Sequence, residues 1–273
     1  MFSSWRRVAA SAAVGAAIVA VVVASRTSRS RPASTETNRY ATAPGQHATI
    51  SLRDGSRIIL GPSTQANVEH RADAVQVTID GEGFFSVAPH ARTAFTVHAG
   101  NSVTRVLGTT FTVRRYHSDA ATRIAVLDGR VSVGSTRAGT RAGDVVLAAR
   151  MLGIVHDTGD IQTVSNAIAD NDTAWTSGHL EFHQATVADI VAELGRAYGV
   201  EIRVEGSVLP AQKVTCSIRI ADQSLQGVLD ALTNTIDAHA VRSGRVITLR
   251  PGVAAALKNV SPRSLTPESK HGR

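Results

Sequence analysis

The chain has 273 residues, 43% hydrophobic and 19% charged, a composition that fits two folded domains with tails and argues against a disordered protein. Its net charge of +7 sits at the ends: residues 1–39 carry +5, residues 40–250 carry −1 and residues 251–273 carry +3. A nucleic-acid binder concentrates basic side chains on its folded body with aromatics among them, so a neutral body in a chain only 4% aromatic argues against that class.

Residues 8–24 read VAASAAVGAAIVAVVVA without a charge, after Arg6 and Arg7 and before Arg26, Arg29 and Arg31. As a helix this stretch reaches about 25 Å, enough for a thin bilayer. A retained transmembrane helix is expected, with residues 1–7 as a cytoplasmic tail. The alternative is a cleaved signal peptide, whose small residues would lie at the end of the stretch. Either one exports the body. Residues 25–44, rich in Ser, Thr, Arg and Pro, read as a linker.

From 45 to 164 short apolar alternations recur without a helical period, which predicts an all-β domain. Asp54-Gly55, Asp80-Gly81 and Asp128-Gly129 each lie beside such an alternation. Asp-Gly pairs supply the positive φ that tight hairpins need, so a sandwich, jelly roll or β-helical roll is predicted. Gly108-Thr109 carries a chemical option. A threonine hydroxyl can attack the preceding glycine carbonyl, turning the amide into an ester by an N-to-O acyl shift that water then breaks. The other reading is a tight bend that needs glycine.

After a linker at 165–174, residues 175–251 change character. Val187, Ile190, Val191, Leu194 and Tyr198 share the spacing of Leu225, Val228, Leu229, Leu232 and Ile236. That spacing is the one-faced stripe of a surface helix, assigned to core packing. Thr186 with Asp189 reads as a cap, and Gly199 as a stop. With the strand patterns around them the predicted order is βαββαββ, a small α+β layer with both helices on one sheet face. Residues 252–273 read as a disordered tail.

Cys216 is the one cysteine and falls on the apolar side of a strand pattern, so neither an internal disulfide nor a CxxC zinc site is available and a core thiol is expected. His179, Glu181 and His183 would line one strand face, where a metal is conceivable, but the pattern is not the helical HExxH and an exposed strand face is the expectation. No GxSxG elbow, P-loop or dinucleotide fingerprint occurs. Neither an ordinary enzyme nor a cofactor is expected.

The runs LRDGSRIIL (52–60), DGEGFFSV (80–87), VLGTTFTVRRY (106–116) and IAVLDGRVSV (124–133) resemble the successive blocks of the FecR domain. WTSGHLEF (175–182) and ELGRAYGVEI (193–202) resemble the carboxy-terminal domain of FecR-type regulators, a region also similar to the secretin and TonB amino-terminal short domain. The resemblance implies a transmembrane regulator of the inner membrane, with its bulk in the periplasm, relaying an envelope signal toward a sigma factor. The partners implied are the signalling domain of a TonB-dependent outer-membrane transporter and a sigma factor, met directly or through a separate cytoplasmic protein. Self-cleavage at a Gly-Thr such as Gly108-Thr109 is also a property of some members. The pattern departs in one respect: where the family carries a cytoplasmic region of several dozen residues before the span, only residues 1–7 precede it here. The alternative function is a structural envelope or secretin-like docking scaffold without signalling output.

Overall fold

A computed structural model describes residues 36–71, 73–89, 94–137, 143–166, 172–220 and 222–252. The expected tail at 1–7, the span at 8–24, the first part of the linker and all but the first residue of the expected tail at 252–273 lie outside the described residues. Among those described, no helix is long and apolar enough to cross a membrane.

The first domain is all-β, as the hydrophobic alternation predicts. Its strands are β1 (Glu36–Ala41), β2 (Ala48–Ser51), β3 (Arg57–Leu60), β4 (Gln65–His70), β5 (Ala74–Ser86), β6 (Ala94–Ala99), β7 (Ser102–Val106), β8 (Thr110–Arg115), β9 (Ala121–Asp128), β10 (Arg130–Ser135), β11 (Val145–Ala148), β12 (Leu152–His156) and β13 (Ile161–Val164). They form two layers that share β5. The first layer runs β1-β4-β5-β6-β7-β10-β11 and the second β2-β3-β5-β8-β9-β12-β13. From β6 onward successive hairpins fall in alternate layers, which is a rolled sandwich.

β1 corrects the expected linker at 25–44. Glu36 to Ala41 pair with His70 to Gln65 along the edge of the first layer. The strand is polar and largely exposed, with Tyr40 packed against the core, so its sequence carries no alternation strong enough to announce it.

Only one of the three Asp-Gly pairs makes a hairpin. Asp54-Gly55 joins β2 to β3, with Gly55 at φ +85°. Asp128-Gly129 instead carries the chain from β9 in the second layer to β10 in the first, and Asp80-Gly81 lies inside β5. At Gly81, φ is +130° and an added Cβ would sit 2.7 Å from Thr64 Cα. The strand bends there. Its first half pairs with β4 and β6, its second with β3 and β8. Positive φ at these positions serves a layer crossing, which sequence alone does not distinguish from a tight turn. Gly81→Ala is expected to destabilise the domain by about 1–3 kcal/mol or more from strain and contact together, seen as a lower urea midpoint with an unchanged slope.

Phe85, Phe95 and Phe111 fill the space between the layers. Phe85 stacks on Phe111 at 5.0 Å between ring centroids and meets Phe95 edge-on at 6.3 Å. Ile58, Leu60, Val77, Val97, Val113, Ile124 and Val133 are fully buried around them.

The second domain follows the predicted βαββαββ order: β14 (His179–Thr186), α1 (Val187–Tyr198), β15 (Glu201–Val204), β16 (Lys213–Arg219), α2 (Leu225–Thr235), β17 (Ala238–Ser243) and β18 (Val246–Pro251). Thr186 caps α1 by accepting from the Asp189 backbone N–H, Ser224 caps α2 through Gly227, and Gly199 ends α1 at φ +68°. Both stripes face the core, with Ile190, Leu194, Leu229 and Ile236 almost wholly buried. The single sheet face is corrected. Among the described residues β14 pairs with β16 alone, while β15, β18 and β17 make a separate sheet. A bulge between Phe182 and Ala185, with Gln184 at φ +49°, interrupts β14.

Candidate functional site

The outer face of the second layer decides how the domains meet. Along β5, Gly83 and Phe85 turn into the sandwich, so Glu82 and Phe84 point to the other side. Phe84, together with Ile59 of β3, packs against the core of the second domain. On β8, Phe111 and Val113 are inward and Arg114 is outward, toward α1. The same alternation that builds one core therefore presents a second, mixed surface for the other domain.

Glu193 of α1 sits at the centre of this joint, 5% exposed. Its Oε2 accepts from Arg114 Nη1 at 2.6 Å and from Arg196 Nη2 at 2.7 Å. Arg114 Nε lies 3.5 Å from Asp119. The Arg196 guanidinium stacks 4.2 Å above the Tyr116 ring, whose hydroxyl donates to the Pro62 carbonyl at 2.9 Å. The Gly45 N–H donates to the Arg196 carbonyl at 2.7 Å. Beside the charges, His47 stacks on Trp175 at 5.7 Å, and Arg123 reaches Asp172 at 3.3 Å.

The two buried carboxyls respond in opposite ways. Burial pushes Glu193 up, but the Arg114 and Arg196 charges and hydrogen bonds more than offset this and hold it below its ordinary value. Glu82 is 4% exposed, and its Oε2 has no hydrogen-bond partner, with Arg114 Nη1 no closer than 4.0 Å. Burial dominates, and Arg114 counters it only in part, so the Glu82 carboxyl is pushed up to about 8. Glu193 is an ionised partner of two arginines; Glu82 is a neutral acid at neutral pH. Burial also holds the half-buried His47 below its usual value.

The residues singled out from sequence lie elsewhere. Gly108, at φ +110°, turns the chain from β7 in the first layer to β8 in the second, and an added Cβ would stand 2.7 Å from Pro89 Cα. The Thr109 hydroxyl, 3% exposed as a residue, donates to the Arg130 carbonyl at 2.8 Å. Gly129 closes over it, so two layer-crossing corners stack on each other. This gives the glycine a geometric reason. Intact mass of the wild type and of Thr109→Ala is expected to give one full-length species each; fragments from the wild type alone would establish self-cleavage.

His179, Glu181 and His183 line a cleft between the domains, and Glu181 accepts from Ser217 at 2.5 Å. Among the described residues no group of three or more His, Cys, Asp or Glu is placed to hold a metal. Cys216 is half-buried against the second core, and burial followed by the Glu181 charge raises its thiol. The joint itself has no sequence motif. Its signal is a set of charged residues on elements whose other faces are apolar, visible in TFTVRRY and ELGRAYG only once the two segments are known to meet.

A buried ion cluster joins two domains, one a rolled β-sandwich and the other a capped α+β module. Residues 38–132 match the family described as FecR protein, and residues 179–249 match that described as FecR, C-terminal. The two segments together take in more than half of the chain, which belongs to the FecR family. Glu82 and Arg114 fall in the first segment, Glu193 and Arg196 in the second. Two crystal structures of a candidate anti-sigma factor from Parabacteroides distasonis, at 1.65 and 2.50 Å, are similar, each with 25% identity and a TM-score of 0.70. The matches cover 78% and 79% of this chain and 99% of the other. No curated protein matches the chain. Family and neighbour support a regulatory role in a sigma-factor system.

Proposed function

We propose that this chain is a transmembrane regulator that passes an envelope signal toward a sigma factor by protein contact, without catalysis. In this reading residues 8–24 anchor it in the inner membrane, its amino terminus is cytoplasmic and its bulk is periplasmic. In the same reading the α+β module serves as a docking domain of the secretin and TonB amino-terminal short type and takes the signalling domain of a TonB-dependent outer-membrane transporter. The sigma factor is reached directly or through a separate cytoplasmic protein.

The observation that carries the reading is the ordered match of both FecR segments to two domains joined by the Glu193 cluster. A buried joint makes a relay mechanically sensible: a contact made on one domain is felt by the other because their charges cannot part without exposing unpaired groups.

In-cell crosslinking of the full chain through photoreactive residues on the second domain tests the docking step. A crosslinked outer-membrane transporter is the expected product. Crosslinks only to cell-wall or secretin components, from every position, would replace the relay with a scaffold.

A further inference from the structure

Beside the joint, the domain boundary opens into a cleft of about 640 Å³. Its lining is acidic. Glu82, Asp119, Asp172, Glu181, Asp189 and Glu193 stand against two cations, Arg114 and Arg123. Both cations are already engaged, Arg114 by Glu193 and Asp119, and Arg123 by Asp172. The described body is otherwise close to neutral, so this excess is local.

Two further features say what the cleft lacks. The first is Glu82, a carboxyl almost wholly buried in the cleft wall whose Oε2 has no hydrogen-bond partner, the Arg114 guanidinium standing 4.0 Å away. Its backbone is fixed on both sides, with its N–H donating to Thr64 Oγ1 at 3.0 Å and its carbonyl accepting from the Gly61 N–H at 2.8 Å. A buried polar oxygen without a hydrogen-bond partner costs about 1–3 kcal/mol, so the wall has room for a polar group there. The second is β14, which lines the cleft from His179 to His183 and again at Ala185, yet pairs with β16 only. Among the described residues no strand pairs with its other edge, and such an edge is the template on which an extended chain adds.

We propose that this cleft receives an extended segment of a partner protein along the open edge of β14, with a lysine or arginine of that segment reaching Glu82 and its neighbouring carboxylates. The proposal rests on the reading that the chain works by protein contact, and it names the chemistry of the contact. A cation arriving at Glu82 meets Arg114 from β8 and Glu193 and Arg196 from α1, with Asp172 also within its field. It favours the ionised carboxyl, so binding near neutral pH releases a proton from Glu82. His179 and His183 also face the cleft from β14. The Glu82 carboxyl makes binding tighter as pH rises toward about 8.

The test uses the full chain in detergent, with Trp175 in the cleft lining as a fluorescent reporter. The probes are a threonine-valine nonapeptide with one central lysine, the same peptide with methionine at that place, and spermidine as a free polycation. The lysine peptide is expected to bind at least about tenfold more tightly than the methionine peptide, and spermidine weakly. Glu82→Gln is expected to erase the difference between the peptides while leaving the fold intact by circular dichroism. Calorimetry in two buffers of different ionisation enthalpy is expected to show proton release with the lysine peptide only.

Equal binding of the two peptides, no binding of either, or a lysine preference that survives Glu82→Gln would overturn the proposal. So would spermidine binding as tightly as the lysine peptide, since a strand edge would then contribute nothing. Crosslinking separates this failure from that of the broader reading. A chain that keeps its crosslinked transporter while failing the peptide test has lost the cleft and kept the relay.

Discussion

Glu193→Ala is expected to cost the chain about 3–5 kcal/mol and to split one unfolding transition into two. The side chain is the shared partner of Arg114 and Arg196, from different domains, so its loss takes away the carboxylate that holds Arg196 and leaves Arg114 with the longer contacts to Asp119 and Glu82. Desolvating an ion is repaid only by a partner of good geometry, and here one carboxylate oxygen repays both. The loss falls on the joint and spares both cores. Near-ultraviolet circular dichroism, which sees Trp175 at the boundary, should therefore change before far-ultraviolet signal as urea rises. Glu193→Met with Arg114→Met is expected to lose less than the sum of the single changes, because a packed apolar pair replaces a broken ionic one. Additive losses in that cycle would mean that the two residues do not act as a pair.

Glu82→Gln is expected to remove most of the stability change between about pH 5 and pH 8. In the folded chain the Glu82 carboxyl titrates at about 8 against an ordinary value of 4.5. A raised acid contributes stability that is fully present below the ordinary value and lost as pH climbs toward the folded one. Each unit is about 1.36 kcal/mol, so the wild type should lose on the order of 4 kcal/mol over that window. The glutamine variant keeps the shape without the charge and should be the more stable protein at about pH 8. Glu193 does not confuse the measurement. Its folded value lies below the ordinary one, so its contribution is present above about pH 5 and fails only on further acidification. A wild type whose midpoint is flat from about pH 5 to pH 8 would mean that Glu82 is ionised and paired.

Much of this architecture is legible in the sequence because burial in each element is one-sided. Val187, Ile190, Val191 and Leu194 repeat at helical spacing because α1 buries one stripe, and Thr186 and Gly199 mark its ends in residue types chosen by backbone geometry. The βαββαββ order follows. The turn pairs are only half legible: Asp-Gly reports positive φ, and Gly55 uses it to make a hairpin while Gly81 and Gly129 use it to change layers. Strand partners arise from contacts distant in sequence, so nothing local separates these uses. β1 escapes because an exposed edge strand needs no apolar alternation. The joint escapes for a different reason. Glu82, Arg114 and Glu193 look like ordinary surface charges until the two domains meet, and the burial that shifts Glu82 belongs to that meeting.

In the proposed reading the two domains act as one unit, and that unit reports to transcription. The most direct measurement is a transcript profile after deletion of the gene, with complementation by the wild type and by Glu193→Met. Deletion should change a defined regulon under sigma-factor control, the wild type should restore it, and the joint variant, present at wild-type level, should not. An unchanged transcriptome alongside an assembly or permeability defect would contradict the account and identify a structural scaffold.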